Sequence, residues 1–144
     1  MSSSWDMKQG PNFAPAYQVS GTPYVTGSAS STELNTTPVK IVFPYVTRWI
    51  QIRNWSGSTG KLRVGFTEHG VNGTVTNNYY LLDESAGGKA HSLADTDRWE
   101  IRCKEIYLRA DNGSNPTGFN LVAGLTGIES FPVLTGSNGF KGVG

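Results

Sequence analysis

Residues 43–54 read FPYVTRWIQIRN, two runs of β-branched and aromatic residues that Pro44 separates. A proline directly after a strand-like run is typical of a strand end or of a corner between two sheets. In the second run Ile50 and Ile52 point to one side of an extended strand, because successive side chains alternate between its two faces. The opposite face carries Trp49, Gln51 and Arg53. The stretch therefore predicts a strand with an apolar inner face and an outer face of large polar and aromatic side chains.

The same alternation recurs along most of the chain and predicts its fold class. Of the 144 residues, 18 are glycine and 16% are charged, and the frequent Val, Ile, Thr and aromatic residues suit pleated sheets better than helices. Short alternating runs give about eight strands, which predicts an all-β, single eight-stranded jelly-roll sandwich with extended N- and C-terminal arms. An immunoglobulin-like sandwich is the nearest alternative, although a chain with one cysteine lacks the paired cysteines of antibody domains.

The chain divides into three parts. Residues 22–128 hold the alternating runs and are predicted to form the jelly-roll domain, whereas residues 1–21 form an extended N-terminal arm and residues 129–144 a C-terminal tail. The two terminal parts carry isolated apolar residues without the spacing of a helix or a strand, so neither builds a core of its own. We expect them to lie on their own domain or on a neighbouring subunit. The predicted anchors are Trp5, Phe13, Tyr17 and Phe131.

The inward positions of the alternating runs predict the hydrophobic core. The predicted core residues are Ile41, Phe43, Ile50, Ile52, Leu62, Val64, Phe66, Trp99, Ile101, Cys103, Ile106, Leu108, Phe119, Leu121 and Ala123. Cys103 is the only cysteine, which excludes an internal disulfide. No nearby base favours its thiolate, so we expect it to pack as a small hydrophobe and not to act as a reactive thiol.

Charge and hydropathy limit the partners. Twelve Lys and Arg residues against eleven Asp and Glu leave a formal net charge of +1, too small for a field that would gather nucleic acid or an anionic membrane. No apolar run approaches the roughly 20 residues of a membrane span. The start MSSSWDMKQGPNF lacks the order of a signal peptide. We therefore expect no direct nucleic-acid contact, no membrane insertion, and synthesis inside a cell.

The sequence offers no set of residues with the spacing of an active site. The isolated candidates are His69, His91, Glu68, Asp83, Glu84, Asp95 and Asp97. Two histidines without a His-x-His, Glu-x-x-His or Cys-x-x-Cys spacing do not predict a metal site, and carboxylates at loop tips are usually turn formers. We therefore expect no catalytic residues, no metal, no cofactor and no enzymatic activity.

Arginine and aromatic residues on the outward faces are the remaining candidates for function. They are superficially similar to a nucleic-acid platform, but Glu100 and Glu105 interrupt the positive charge. A solvated outer face is a second interpretation. The third is a subunit interface, where arginine and aromatic side chains concentrate. The predicted interface residues are Arg48, Trp49, Arg53, Arg102 and Arg109.

Three stretches together resemble a known family: KIVFPYVTRWIQIRN at 40–54, LRVGFTEHGV at 62–71 and EIYLRADNGSNPTGFNLVAGLTGI at 105–128. In order and separation they are similar to the single jelly-roll penton and minor capsid proteins of large icosahedral double-stranded DNA viruses of the nucleocytoplasmic type. The resemblance covers approximately residues 38–128 and rests on strand patterns. It implies a structural capsid protein of the virion, a penton that caps the fivefold vertices as a homopentamer and contacts neighbouring major and minor capsid proteins.

Two alternatives remain open. A carbohydrate-binding jelly roll stacks sugar rings on exposed aromatic side chains. The aromatic candidates for this are Trp49, Trp55, Tyr79 and Tyr80. A bacteriophage decoration or fibre-head protein is a variant of the capsid interpretation. A closed homopentamer needs two different complementary patches on each subunit, and the near-equal numbers of acidic and basic residues allow them.

Overall fold

Two antiparallel β-sheets form the framework of the described part of the protein. The computed structural model describes residues 21–56, 59–73, 77–83 and 95–144. Over these residues the regular secondary structure is almost entirely β, which confirms the all-β part of the predicted fold class, although seven strands are present in place of the predicted eight. Its strands are β1 (Thr22–Gly27), β2 (Val39–Val42), β3 (Thr47–Trp55), β4 (Lys61–Gly65), β5 (Tyr80–Asp83), β6 (Glu105–Ala110) and β7 (Gly118–Leu125). A short helix, α1 (Glu68–Asn72), follows β4, and a 3-10 turn lies at Gly136–Asn138.

The strands divide into a three-stranded sheet of order β1-β7-β3 and a four-stranded sheet of order β2-β6-β4-β5. Residues 95–103 run along the remaining edge of β3. Bridges join Ile50 to Trp99 and Arg53 to Asp95, and the two backbone hydrogen bonds between Ile50 and Trp99 measure 2.9 and 2.8 Å. This irregular segment therefore satisfies backbone groups that an edge strand would leave unpaired.

The core lies between the two sheets, as in a β-sandwich, and consists of inward-facing strand residues. The predicted core residues that are buried are Ile41, Phe43, Ile50, Ile52, Leu62, Val64, Cys103, Ile106, Leu108, Phe119, Leu121 and Ala123. Their burial confirms the predicted inner and outer faces. Buried hydrophobic residues outside the predicted set are Leu34, Val46, Val71, Leu82, Ala110, Leu125, Ile128 and Leu134. Most of these lie at strand ends or in connections, where burial depends on tertiary contacts that alternation does not encode.

Three predicted core residues are only partly buried. Phe66, Trp99 and Ile101 pack against the core from its margin. Phe66 directly follows β4, and the other two belong to the irregular segment at the edge of β3. The prediction of full burial was wrong here, because alternation gives the direction of a side chain but not how far the opposite sheet extends over it.

A buried amide connects the two sheets. Asn54, near the end of β3, is 3% exposed. Its Nδ2 donates to the carbonyl oxygens of Gly60 at 2.8 Å and Leu82 at 3.1 Å, and its Oδ1 accepts a hydrogen bond from the Thr117 hydroxyl. Because buried polar groups are costly unless they are hydrogen-bonded, these contacts make Asn54 a specific link between β3 and the strands of the facing sheet.

The C-terminal tail packs on the sandwich of its own chain. Leu134 is buried, and Phe131, Phe140 and Val143 pack against the core. The hydroxyl of Thr67 also donates to the carbonyl oxygen of Val143. The predicted anchor Phe131 thus contacts its own domain. The other predicted anchors, Trp5, Phe13 and Tyr17, lie outside the described residues.

Candidate interaction surfaces

The first face is the outward side of the three-stranded sheet. Across β3 and β7, Trp49 lies opposite Gly124, Gln51 opposite Val122, and Arg53 opposite Asn120. The register shifts between Thr47 and Trp49, and such an irregularity redirects the side chains that follow it. After this shift the indole of Trp49 lies over Gly124. The guanidinium of Arg98 lies 5.8 Å from the centroid of the same indole ring. The outward side chains of the opening stretch therefore share one ordered surface.

An ion pair borders a shallow cavity on the first face. Arg53 donates from Nε to Oδ1 of Asp95 at 2.7 Å and from Nη2 to Oδ2 at 3.0 Å. Its hydrogen bonds to this carboxylate raise the pKa of Arg53, and the Arg53 side chain remains 62% exposed. The cavity has a volume of about 310 Å³ and is also lined by Val25 and Asn120. Two-point arginine–carboxylate pairs have a specific geometry, and this exposed pair presents both of its charges at the surface.

The second face is the outward side of the four-stranded sheet. Arg63 of β4 lies directly opposite Arg109 of β6, where like charges repel. Asp111 offsets part of this repulsion, because its Oδ1 accepts a hydrogen bond from Nε of Arg63 at 2.7 Å. The ring of Tyr79 lies 4.2 Å from the Arg63 guanidinium. The face therefore has two adjacent arginines, of which Arg63 pairs with a carboxylate.

Helix α1 lies over part of the second face. The side chain of Thr67 caps its first turn by accepting from the backbone N–H of Gly70 at 2.9 Å, and Gly73 ends the helix in the left-handed conformation. Arg63 Nη1 donates to the carbonyl oxygens of Val71 and Asn72 at 3.3 and 3.1 Å. A positive charge near the C-terminal end of a helix is stabilised by the helix dipole. The charge of Arg63 is therefore stabilised by groups of its own chain.

Arg109 is less fully compensated than Arg63. Its Nη1 donates to Oδ1 of Asn72 at 2.9 Å, and its Nε and Nη2 donate to the backbone carbonyl oxygens of Ala110 at 3.0 Å and Asp111 at 3.4 Å. All three acceptors are neutral groups. Burial, followed by the charge of Arg63, lowers the pKa of Arg109. A half-buried guanidinium next to a second one favours an additional anion, so the second face suits a carboxylate supplied by a partner.

Two lysine–carboxylate ion pairs lie on the same face as this arginine pair. Lys40 lies 2.9 Å from Glu105, and Lys61 lies 3.1 Å from Asp83. The hydrogen bond to Glu105 raises the pKa of Lys40. Acidic and basic side chains thus alternate on the second face, which argues against the uniform positive surface that nucleic acid requires.

A cleft opens between the two sheets at one edge. Its lining residues are Phe66, Tyr80, Arg98, Trp99, Glu100 and Ile101, and its volume is about 500 Å³. The rings of Tyr80 and Trp99 meet edge to face, with centroids 5.2 Å apart. We call this region the aromatic cleft. A smaller cavity of about 220 Å³ adjoins it at Phe66 and Ile101 and is also lined by Phe131 and Phe140 of the tail.

The predicted interface residues occupy different surfaces. Arg48, Trp49 and Arg53 belong to β3, whereas Arg109 lies on the second face. Arg102 lies on the connection between the sheets, with its guanidinium 5.7 Å from the ring of Phe131. The sequence did not indicate Arg63 or Asp111 as partners of Arg109, since their proximity depends on the pairing of β4 with β6.

The isolated candidates for chemistry do not converge. Glu68 and His69 are exposed on α1, and Asp95 is paired with Arg53. Two other candidates, His91 and Glu84, fall outside the described residues. Within the ranges that the structure describes, no three His, Cys, Asp or Glu side chains are grouped to bind a metal ion. In the same ranges, no helix has the length and apolar character to span a membrane.

Comparisons of the chain with known protein families, with curated proteins and with solved structures gave no match.

Proposed function

We propose that the chain is an eight-stranded jelly roll. The observation that carries this proposal is the nested pairing of its segments when residues 95–103 count as the sixth strand. The first strand then pairs with the last, the second with the seventh, the third with the sixth, and the fourth with the fifth. Nested antiparallel pairing over two sheets is the connectivity of a jelly roll, a fold common in capsid proteins.

On this basis we propose that the protein is a structural, non-enzymatic capsid subunit of an icosahedral double-stranded DNA virus. It caps the fivefold vertices of the virion as a homopentamer and contacts the neighbouring capsid proteins. The support for a ring comes from the two chemically different outer faces. A ring closes through head-to-tail contacts, so one subunit must present two unlike patches. The first face offers an exposed arginine–carboxylate pair beside Trp49, and the second offers the half-buried Arg109.

Native mass spectrometry of the full chain tests the oligomer, and a reconstruction of the virus particle tests its place. We expect a pentamer at micromolar concentration and density for the protein on the fivefold axes. A monomer throughout this range, with density away from those axes, would leave the penton proposal without support. Density at another site on the shell would favour a decoration or fibre-head protein.

A carbohydrate-binding module is the alternative that the aromatic residues permit. Trp49 and Trp55 share the outward side of β3, and Trp55 is 41% exposed. Tyr79, however, lies under Arg63 on the second face, and Tyr80 lines the aromatic cleft. The four rings therefore form no common platform for stacking sugars. Binding of the monomer to a glycan array, without ring formation, would favour this alternative.

A further inference from the structure

Among the residues that the structure describes, the hydrophobic core is open at the aromatic cleft. Tyr80 lies directly opposite Val64 in the register of β5 and β4, and residues paired in this way point to the same face of a sheet. Val64 is 1% exposed, yet Tyr80 is 57% exposed. Phe66, Trp99 and Ile101 are also inward-facing and only partly buried. Four large side chains directed at the core thus lack a cover formed by the described residues.

Contiguous exposed apolar surface of this kind marks a docking site. The cleft wall is aromatic, and Arg98 and Glu100 form an exposed ion pair of 2.7 Å at its rim. The adjoining smaller cavity shows how such surface is covered in this protein. There Phe131 and Phe140 of the tail pack against the core and line the cavity together with Phe66 and Ile101, without forming a regular strand. A second irregular segment with spaced aromatic residues fits the remaining opening.

We propose that the aromatic cleft binds the N-terminal segment, residues 1–20, of the same chain. After Met1, this segment contains four large aromatic or methionine side chains and only two charged residues. The four large side chains are Trp5, Met7, Phe13 and Tyr17, and the charged residues are Asp6 and Lys8. Few charges would have to leave water on docking, while several aromatic rings would gain edge-to-face partners. The cleft thereby becomes the site that completes the hydrophobic core.

The starting point of the segment allows this contact within one chain. Thr22 of β1 lies opposite Leu125, which lies opposite Thr47 of β3, and the N–H of Thr47 bonds to the carbonyl oxygen of Cys103 at 3.0 Å. The segment therefore begins about 14 Å from the edge that holds the cleft, three strand spacings away. Phe13, eight residues before Gly21, can reach roughly 26 Å in an extended chain. A linker that spans the gap gives a high effective concentration, which favours the same chain over a second copy.

Photo-crosslinking of the full-length protein tests the proposal. A benzophenone amino acid at position 80 replaces the exposed Tyr80, and a matched variant carries it at Val25, which is 74% exposed on the first face. Equal amounts of isotopically light and heavy protein are mixed in denaturant and refolded together before irradiation, and the joined peptides are identified by mass spectrometry. We expect position 80 to join residues 1–20 in light–light and heavy–heavy pairs only, and position 25 to give little of this product.

Further variants separate docking from chance proximity. The triple variant Trp5→Ala, Phe13→Ala, Tyr17→Ala should lose the position-80 product, whereas Ser2→Ala, Ser3→Ala, Ser4→Ala should retain it. Light–heavy pairs would show that the cleft binds the N-terminal segment of a second copy and would overturn docking within one chain. Equal yields from positions 80 and 25, or joining of position 80 only to segments outside residues 1–20, would overturn it. The result does not depend on ring formation, so the pentamer and the docked segment can fail separately.

Discussion

The indole of Trp49 lies over the Cα of Gly124, so that its Nε1 occupies the space that a Cβ at residue 124 would need. We therefore expect Gly124→Ala to force the indole out of place and to lower the free energy of unfolding by about 1–3 kcal/mol, the usual cost of overpacking. Denaturant unfolding measures this loss. Gly127→Ala is the matched control, because a Cβ there meets no atom within 4 Å.

A double-mutant cycle assigns the cost to the contact with Trp49. If the indole is the obstacle, Gly124→Ala should cost much less when Trp49 is already alanine, since contacting residues are not additive. An unchanged cost in the Trp49→Ala background would show that the glycine is needed for another reason, such as its backbone conformation.

The inner and outer faces of the strands could be predicted because they follow from local sequence. A one-residue error in the predicted alternation would have moved every side chain of a strand to the wrong face. Ile50 and Ile52 are both fully buried, so the predicted alternation of β3 is correct. The extent of burial could not be predicted in the same way. Phe66 and Trp99 point inward but lie where the sandwich ends, and the position of that end depends on how two distant strands pair.

The sequence predicted individual residues of the candidate surfaces, but not which of these residues lie next to one another. The sequence identified Arg53 and Arg109 as outward-facing, but it did not place them on opposite sheets or set Arg63 beside Arg109. Such neighbours come from the non-local register between strands, which single-strand periodicity does not contain. The burial of Leu134 could not be predicted either, because the tail carries isolated apolar residues without the spacing of a strand or a helix.

Asn54 should be the most sensitive polar residue of the core. Replacement by alanine removes two donors and one acceptor, leaving the carbonyl oxygens of Gly60 and Leu82 without these partners. We expect Asn54→Ala to lower the free energy of unfolding by about 2–3 kcal/mol, because unsatisfied buried polar groups carry their full desolvation cost. Asn120→Ala, at an exposed position of β7, should change it by less than about 0.5 kcal/mol. Similar effects at both positions in thermal or denaturant unfolding would contradict this role for Asn54.

Cys103 should be inert in the native state and should make stability depend on alkaline pH. Burial raises the pKa of its thiol to about 11 from an ordinary 9.0. The folded state therefore favours the protonated thiol, and this advantage is complete below the unfolded pKa and is lost as the pH rises through 11. By pH 11 the loss should amount to about 2 kcal/mol.

Two measurements check the behaviour of Cys103. The decrease in unfolding free energy between pH 9 and 11 should be smaller in Cys103→Ala than in the parent protein. A thiol reagent at pH 8 should label the native chain far more slowly than the unfolded chain. Equal labelling rates, or equal pH slopes in the two proteins, would show that the thiol is accessible to water.

Arg53→Glu should weaken the proposed pentamer much more than the fold. The Arg53 side chain is 62% exposed and its partner Asp95 is 32% exposed, and exposed pairs contribute at most about 1 kcal/mol to stability. At a subunit contact the reversed charge would instead repel the carboxylate of the neighbouring subunit that faces Arg53, and an interface arginine can carry about 2 kcal/mol or more. Arg109→Glu is a poorer test, because Arg109 is half-buried beside Asn72 and Arg63 and its replacement should also disturb the second face.

Lys141→Glu, an equal charge change on the exposed tail, is the control that should leave both pentamer formation and stability intact. Native mass spectrometry and thermal unfolding of the three proteins give the answer together: a pentamer fraction that does not fall in Arg53→Glu, at unchanged melting temperature, would remove Arg53 from the contact.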